Sequence, residues 1–105
     1  MSKAEKTVQV SVTFRHTEPT ETLKQVAVEK VKHCVEKYAT ADTEVNIILS
    51  IEKRDHTVEV NVKSGKLSIA AKSLTDDLYS AIDKVVNNLE SQFRKLKDKQ
   101  TEHHR

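Results

Sequence analysis

Apolar and polar residues alternate along this chain with two different periods, and the switches between them divide it into elements. After a polar lead, Val8, Val10, Val12 and Phe14 alternate with Gln9, Ser11 and Thr13. A period of two gives a strand one apolar face, so the pattern predicts a first strand over residues 7–14. His16 to Pro19 break the alternation. From Thr20 the period becomes helical, with Leu23, Val26, Ala27, Val31, Cys34, Val35 and Tyr38 gathered into one stripe, which predicts a first helix over 20–38. Thr20 suits its N-cap, because a hydroxyl there accepts one of the backbone N–H groups that lack an intrahelical partner.

Three further alternating runs follow: Val45, Ile47, Leu49 and Ile51, then Val58, Val60 and Val62, then Leu67, Ile69 and Ala71. Ser64-Gly65 between the last two predicts a tight hairpin, the glycine supplying positive φ, while Lys53 to His56 reads as a longer connection. The helical period then returns from Asp76 to Lys99, where Leu78, Tyr79, Ile82, Val85, Val86, Leu89, Phe93 and Leu96 form an apolar stripe. The order β-α-β-β-β-α predicts an α+β fold. Its four-stranded mixed sheet has a parallel first pair joined by a crossover helix, and both helices cover the sheet's apolar face.

The chain of 105 residues reads as a single domain, ordered over about 7–99 and ending in a polar tail at 100–105. Its apolar fraction of 36% is lean against 32% charged residues, but periodic placement separates it from a disordered chain of similar composition. A formal net charge of +2 does not mark a nucleic-acid binder, so any basic site must come from arrangement. The lone Cys34 cannot form an internal disulfide, and on the apolar helix face it reads as a buried, inert thiol. Without a signal-peptide run or an apolar stretch of membrane-spanning length, the expected setting is cytoplasmic, with no membrane partner.

Catalysis finds no support. The chain's one glycine excludes a glycine-rich phosphate loop, the histidines His16, His33, His56, His103 and His104 have no ligand spacing, and Asp76 with Asp77 fits helix initiation better than a carboxylate pair. Neither a metal nor a cofactor is expected. The aromatic residues Phe14, Tyr38, Tyr79 and Phe93 fall on apolar faces and read as core, which leaves shape and phosphate contact as the RNA-binding mode open to such a chain.

Helical geometry places the bases. On the second helix Lys84, Asn88, Lys95 and Lys99 fall along one flank of the apolar stripe, and Arg94 and Lys97 along the other. On the first, Lys30 and Lys37 lie to one side, and Lys24 and Lys32 towards the other. Two parallel helices on one sheet face would then edge a groove with cations, Lys30 facing Lys84, Lys95 and Lys99, and such a groove suits RNA phosphates. The alternative is a set of solvated faces with snorkelling stems.

The run Asp77-Leu78-Tyr79-Ser80-Ala81-Ile82-Asp83, followed by Leu89, Gln92 and Lys95-Leu96-Lys97-Asp98-Lys99, resembles the second helix of the ribosome hibernation-promoting factor family, also labelled sigma-54 modulation protein. Thr20-Glu21-x-Leu23-Lys24, Lys30 and Ile51-Glu52-Lys53 are similar to it as well, so the resemblance covers nearly the whole chain. It implies a protein that binds the small ribosomal subunit and its rRNA across the mRNA and tRNA sites of the decoding region and silences translation in stationary phase or stress. The chain looks like the short type, which favours inactive paired ribosomes together with a ribosome modulation factor; the long-tailed type is a translation inhibitor that does not promote pairing. The implied rRNA contacts are Lys24, Lys30, Lys32, Lys37, Lys84, Arg94, Lys95, Lys97 and Lys99, on a chain that is monomeric when free. Asn88, Ser91 and His33 depart from the family, which commonly carries bases there, and the loop Lys53-Arg54-Asp55-His56 looks shorter than usual. From another class, a protein-interaction module would dock its partner on the polar sheet face or the fourth-strand edge.

Overall fold

The structure, a computed structural model, describes residues 7–102, with side chains over 7–97. It has the expected order: β1 (Val8–Arg15), α1 (Glu21–Tyr38), β2 (Thr43–Glu52), β3 (Asp55–Ser64), β4 (Leu67–Thr75) and α2 (Leu78–Glu102). The sheet order is β1-β2-β3-β4, with β1 parallel to β2 from Val8↔Thr43 to Arg15↔Ser50 and the later pairs antiparallel. Val45, Ile47 and Leu49 on β2 and Val58, Val60 and Val62 on β3 point inward, and Val31, Val35, Ile82, Val85 and Leu89 from the helices join them in one core. Both helices therefore cover the same sheet face. The inward residues of β1 (Val8, Val10, Val12 and Phe14) are only half-buried, because α1 covers an edge strand less completely than two helices cover the centre.

Strand ends differ from the expectation because apolar alternation stops before the pairing does. β3 runs on to Ser64, whose inward hydroxyl is paired with Thr43 at 2.8 Å, so two buried polar side chains satisfy one another. β4 continues through Ser73, whose hydroxyl donates to the Ala81 carbonyl of α2 at 2.6 Å. Both hairpins are tighter or shifted. Glu52 pairs with Asp55, so the connection expected to be long is the two-residue turn Lys53-Arg54, with Lys53 at φ 57. Ser64 pairs with Leu67, so the second turn is Gly65-Lys66, with glycine first rather than last. Gly65 takes φ 60 there, the position that a type II′ turn reserves for glycine.

Thr20 is the N-cap of α1, its Oγ1 accepting from the Leu23 N–H at 3.4 Å. In α2 the cap is Asp77, whose Oδ1 accepts from the N–H groups of Tyr79 at 2.9 Å and Ser80 at 3.2 Å. Its Oδ2 accepts the Ser80 hydroxyl at 2.6 Å. These bonds, the Ser80 hydroxyl foremost, hold the Asp77 carboxyl below its ordinary pKa. Asp76 lies before the helix, and α2 runs past Lys99 to Glu102; His103 to Arg105 of the expected tail lie outside the described residues. Tyr79, expected in the core, is 48% exposed, since it stands in the first turn at the rim of the stripe. Tyr38 and Phe93 do pack together, stacked with ring centroids 5.1 Å apart.

Candidate nucleic-acid interface

The two helices run parallel, and ion pairs fix their mutual register. Lys30 Nζ of α1 lies 2.7 Å from Asp83 Oδ1 of α2, and Lys37 Nζ lies 2.8 Å from Glu90 Oε2. Lys30 and Lys37 are separated by two helical turns, as are Asp83 and Glu90, so the contacts repeat along the seam in the manner of charged flanks in a coiled coil. Glu90 is the hub of the second contact: it also accepts the Tyr38 hydroxyl at 3.0 Å and has Arg94 at 3.7 Å. The Lys37 and Tyr38 hydrogen bonds hold its carboxyl below the ordinary range, and the same bond from Glu90 raises the pKa of Lys37. Beneath them Cys34 is buried, and desolvation first, then the nearby Glu90 charge, push its thiol up, as expected of an inert cysteine.

This seam corrects the expected groove. Lys30 and Lys37 do face α2, but what they meet is Asp83 and Glu90 rather than Lys84, Lys95 and Lys99. Apart from Tyr79 the apolar stripe and the division of its flanks hold, but the flank that faces α1 is that of Asp83 and Glu90, not that of Lys84 and Lys95. Arg94 is on the seam side beside Glu90, and Lys97 shares a hollow of about 300 Å³ with Lys37, Tyr38, Leu67, Phe93 and Leu96 at the C-terminal end of α1. The other flank of α2 overhangs β4. There the Gln92 side-chain amide donates to the Ala70 carbonyl of the edge strand at 2.8 Å and to Asn88 Oδ1 at 3.0 Å. Helical spacing sets Lys84, Asn88 and Lys95 on this same side. Lys99 belongs to the helix, and its side chain lies outside the described residues. Lys24 and Lys32 are exposed on α1.

Every expected contact residue with a described side chain is exposed, so all can reach a ligand, yet they form no single cluster. From Lys84 to Lys97, α2 carries the bases Lys84, Arg94, Lys95 and Lys97 against one acid, Glu90, which faces the seam. α1 mixes Lys24, Lys30, Lys32 and Lys37 with Glu21, Glu29 and Glu36. Among the exposed bases passed over in the sequence are Lys66 in the β3–β4 turn and Lys72 on the polar face of β4. The turn position after Gly65 and the alternation of β4 were the available signals. Among the described residues no group of three histidine, cysteine, aspartate or glutamate side chains could hold a metal ion, and no helix is long and apolar enough to cross a membrane.

The sequence model described as Sigma 54 modulation protein / S30EA ribosomal protein matches residues 10–101. A ribosome hibernation promoting factor of Pseudomonas putida is 31% identical over 93 residues, covering 89% of this chain and 90% of that one. The protein of the same description from Escherichia coli strain K12 is 30% identical over 96 residues, 91% of this chain and all of that one (100%). Among solved structures, a ribosomal subunit interface protein from Coxiella burnetii superposes with a TM-score of 0.75 at 25% identity, over 86% of this chain and 98% of that one. The N-terminal domain of Thermus thermophilus Protein Y gives 0.74 at 21% identity over the same shares, and that likeness is one of fold. With a match along nearly its whole length and relatives of similar size, this chain belongs to the Sigma 54 modulation protein / S30EA ribosomal protein family.

Proposed function

We propose that this protein is a ribosome hibernation factor of the short type. It binds the small ribosomal subunit at the mRNA and tRNA sites of the decoding region, blocks translation by occupancy without chemistry, and favours inactive paired ribosomes in stationary phase or stress, together with a modulation factor. Its place of action is the cytoplasm. The observation that carries the reading is α2: the helix whose DLYSAID start bears the resemblance is also the one whose exposed surface from Lys84 to Lys97 is dominated by bases. Bases held on a rigid helix neutralise phosphates at fixed spacing, and the released counterions make such binding strongly salt-dependent.

Sedimentation tests this directly. Lysates from growing and from starved cells are run through sucrose gradients, and the purified protein is added to isolated small subunits. The protein should travel with ribosomal particles after starvation and shift the profile towards paired ribosomes. Travel with one non-ribosomal protein in both conditions, and no binding to isolated small subunits, would replace this reading by that of a protein-interaction module.

A further inference from the structure

The sheet ends in two edge strands, and the fold guards only one of them. Over β4 the Gln92 amide of α2 occupies the Ala70 carbonyl at 2.8 Å, and Lys72 puts a charge on the strand itself. β1 carries neither device. Val8 to Phe14 contain no charge, proline or glycine, and the register with β2 runs unbroken from Val8↔Thr43 to Arg15↔Ser50, so no bulge twists the strand away. The Thr43 N–H donates to the Thr7 carbonyl at 2.9 Å. Alternation along a parallel ladder then turns the backbone groups of Gln9, Ser11 and Thr13 to β2, and those of Val8, Val10, Val12 and Phe14 outward. No hydrogen bond from the described residues reaches these outward groups. Their side chains are the half-buried row that α1 covers incompletely.

The helix above this edge presents a matching flank. Lys30 and Lys37 face α2, and Val28, two residues before Lys30, stands about 160° round the helix from it, on the β1 side. Val28 is half-buried, yet it lies outside the core cluster. Lys24 and Lys32, one turn before and one turn after it, are exposed and make no ion pair among the described residues. Helical spacing turns Glu29 and Glu36 away from the sheet and leaves Glu21 beyond Lys24, in the first turn. An apolar residue between two lysines thus overlooks a row of unpaired backbone groups.

Charge decides what fits there. A second copy, pairing β1 with β1 about a two-fold axis, would lay its own Lys24, Val28 and Lys32 antiparallel to the first set and bring lysine against lysine. An extended segment of another protein meets no such repulsion when its helix-side residues run acid, apolar, acid. Those alternate positions span four residues of strand, about 13 Å. Lys24 and Lys32 are eight residues apart, about 12 Å along the helix. We infer that the outer edge of β1 takes an extended segment of a protein partner as a fifth strand, its alternate residues acid, apolar and acid against Lys24, Val28 and Lys32. Backbone hydrogen bonds supply the affinity and the flank of α1 the selectivity. The edge for protein docking is then β1, in place of the fourth-strand edge that the sequence suggested.

The test titrates a fluorescein-labelled peptide, Thr-Glu-Thr-Val-Thr-Glu-Thr, into the purified protein, with binding read by anisotropy and by amide hydrogen exchange. In the free protein the amides of Val8, Val10, Val12 and Phe14 should exchange faster than those of Gln9, Ser11 and Thr13, and saturating peptide should slow the first set by about tenfold or more. Lys24→Gln and Lys32→Gln should each weaken binding about two- to fivefold, as for an exposed ion pair. A peptide with lysine in place of both glutamates should bind about tenfold more weakly or not at all. Methylating the backbone nitrogens of the Glu and Val residues, or instead those of the threonines, should abolish binding in one case and spare it in the other, because a paired strand uses alternate amides. Val12→Pro removes an outward N–H and no bond to β2, so it should abolish binding while the urea midpoint shows the variant folded. The methylated peptides test the same point on the unaltered protein. No binding of the acidic peptide at about 1 mM overturns the inference. Equal binding of the acidic and basic peptides, or exchange at β1 unchanged by peptide, overturns it as well. A dimer in sedimentation equilibrium that Val12→Pro dissolves also overturns it, and makes the occupant a second copy. None of these readouts involves the ribosome, so failure here leaves the proposed function standing.

Discussion

Glu90 illustrates how much of the structure turns on one side chain that no periodicity would single out. It is the only acid between Lys84 and Lys97, and it ties Lys37, Tyr38 and Arg94 to the seam. Its folded pKa is lowered, as is that of the capping Asp77, so both stabilise the fold above the ordinary values of 4.5 and 3.8, and that contribution is lost as pH falls through the depressed folded values. Lys37 has the opposite sense: its raised pKa stabilises below 10.5 and is lost only as pH rises through the raised value. Glu90→Gln should therefore lower stability at pH 7 and lose less than the wild type between pH 5 and pH 3, as read from urea midpoints at each pH. Equal losses in the two proteins would mean that the Glu90 contacts do not hold in solution. The sequence left this residue unread because an acid on a helix flank has no pattern of its own. Its role depends on which neighbour the sheet brings alongside, and that is a tertiary fact.

At the scale of elements the chain was largely legible, because a stripe of apolar residues at helical spacing and alternating strands each have one way to be buried. Leu89 stands at the centre of the α2 stripe and is fully buried. Leu89→Ala should cost about 2–5 kcal/mol, the range for a truncation in a packed core, measured by urea unfolding. A loss under about 0.5 kcal/mol would show that α2 does not seat as described. Legibility failed at element ends and flanks. The turn Lys53-Arg54 was invisible because a lysine at positive φ carries no compositional signal, unlike Gly65. The flanks of α2 were ordered correctly about the stripe, but sequence does not say on which side α1 lies. That handedness decided whether Lys84 and Lys95 edge the groove or overhang β4, and so it decided the candidate site.

For the whole molecule, burial is graded from centre to edge. β2 and β3 are paired on both sides and supply Ile47, Leu49, Val58 and Val60 at 0% exposure, whereas the apolar face of β1 stays half-buried. Amide hydrogen exchange should accordingly be slowest in β2 and β3, with β1 opening at lower free energy; equal protection of all strands would contradict this grading. The paired charges of the helix seam act on the same assembly in a further way, through the arrangements they penalise. Two parallel amphipathic helices on one sheet can slide past each other by a turn, about 5.4 Å, and still bury apolar stripes. A slip that advances α2 by four residues would set Lys37 against Arg94 and leave Lys30 beside Asn87; the reverse slip would set the same lysines against Val86 and Tyr79. Only the observed register gives both lysines a carboxylate, so charges that add little as surface contacts separate the native arrangement from its nearest misaligned competitors.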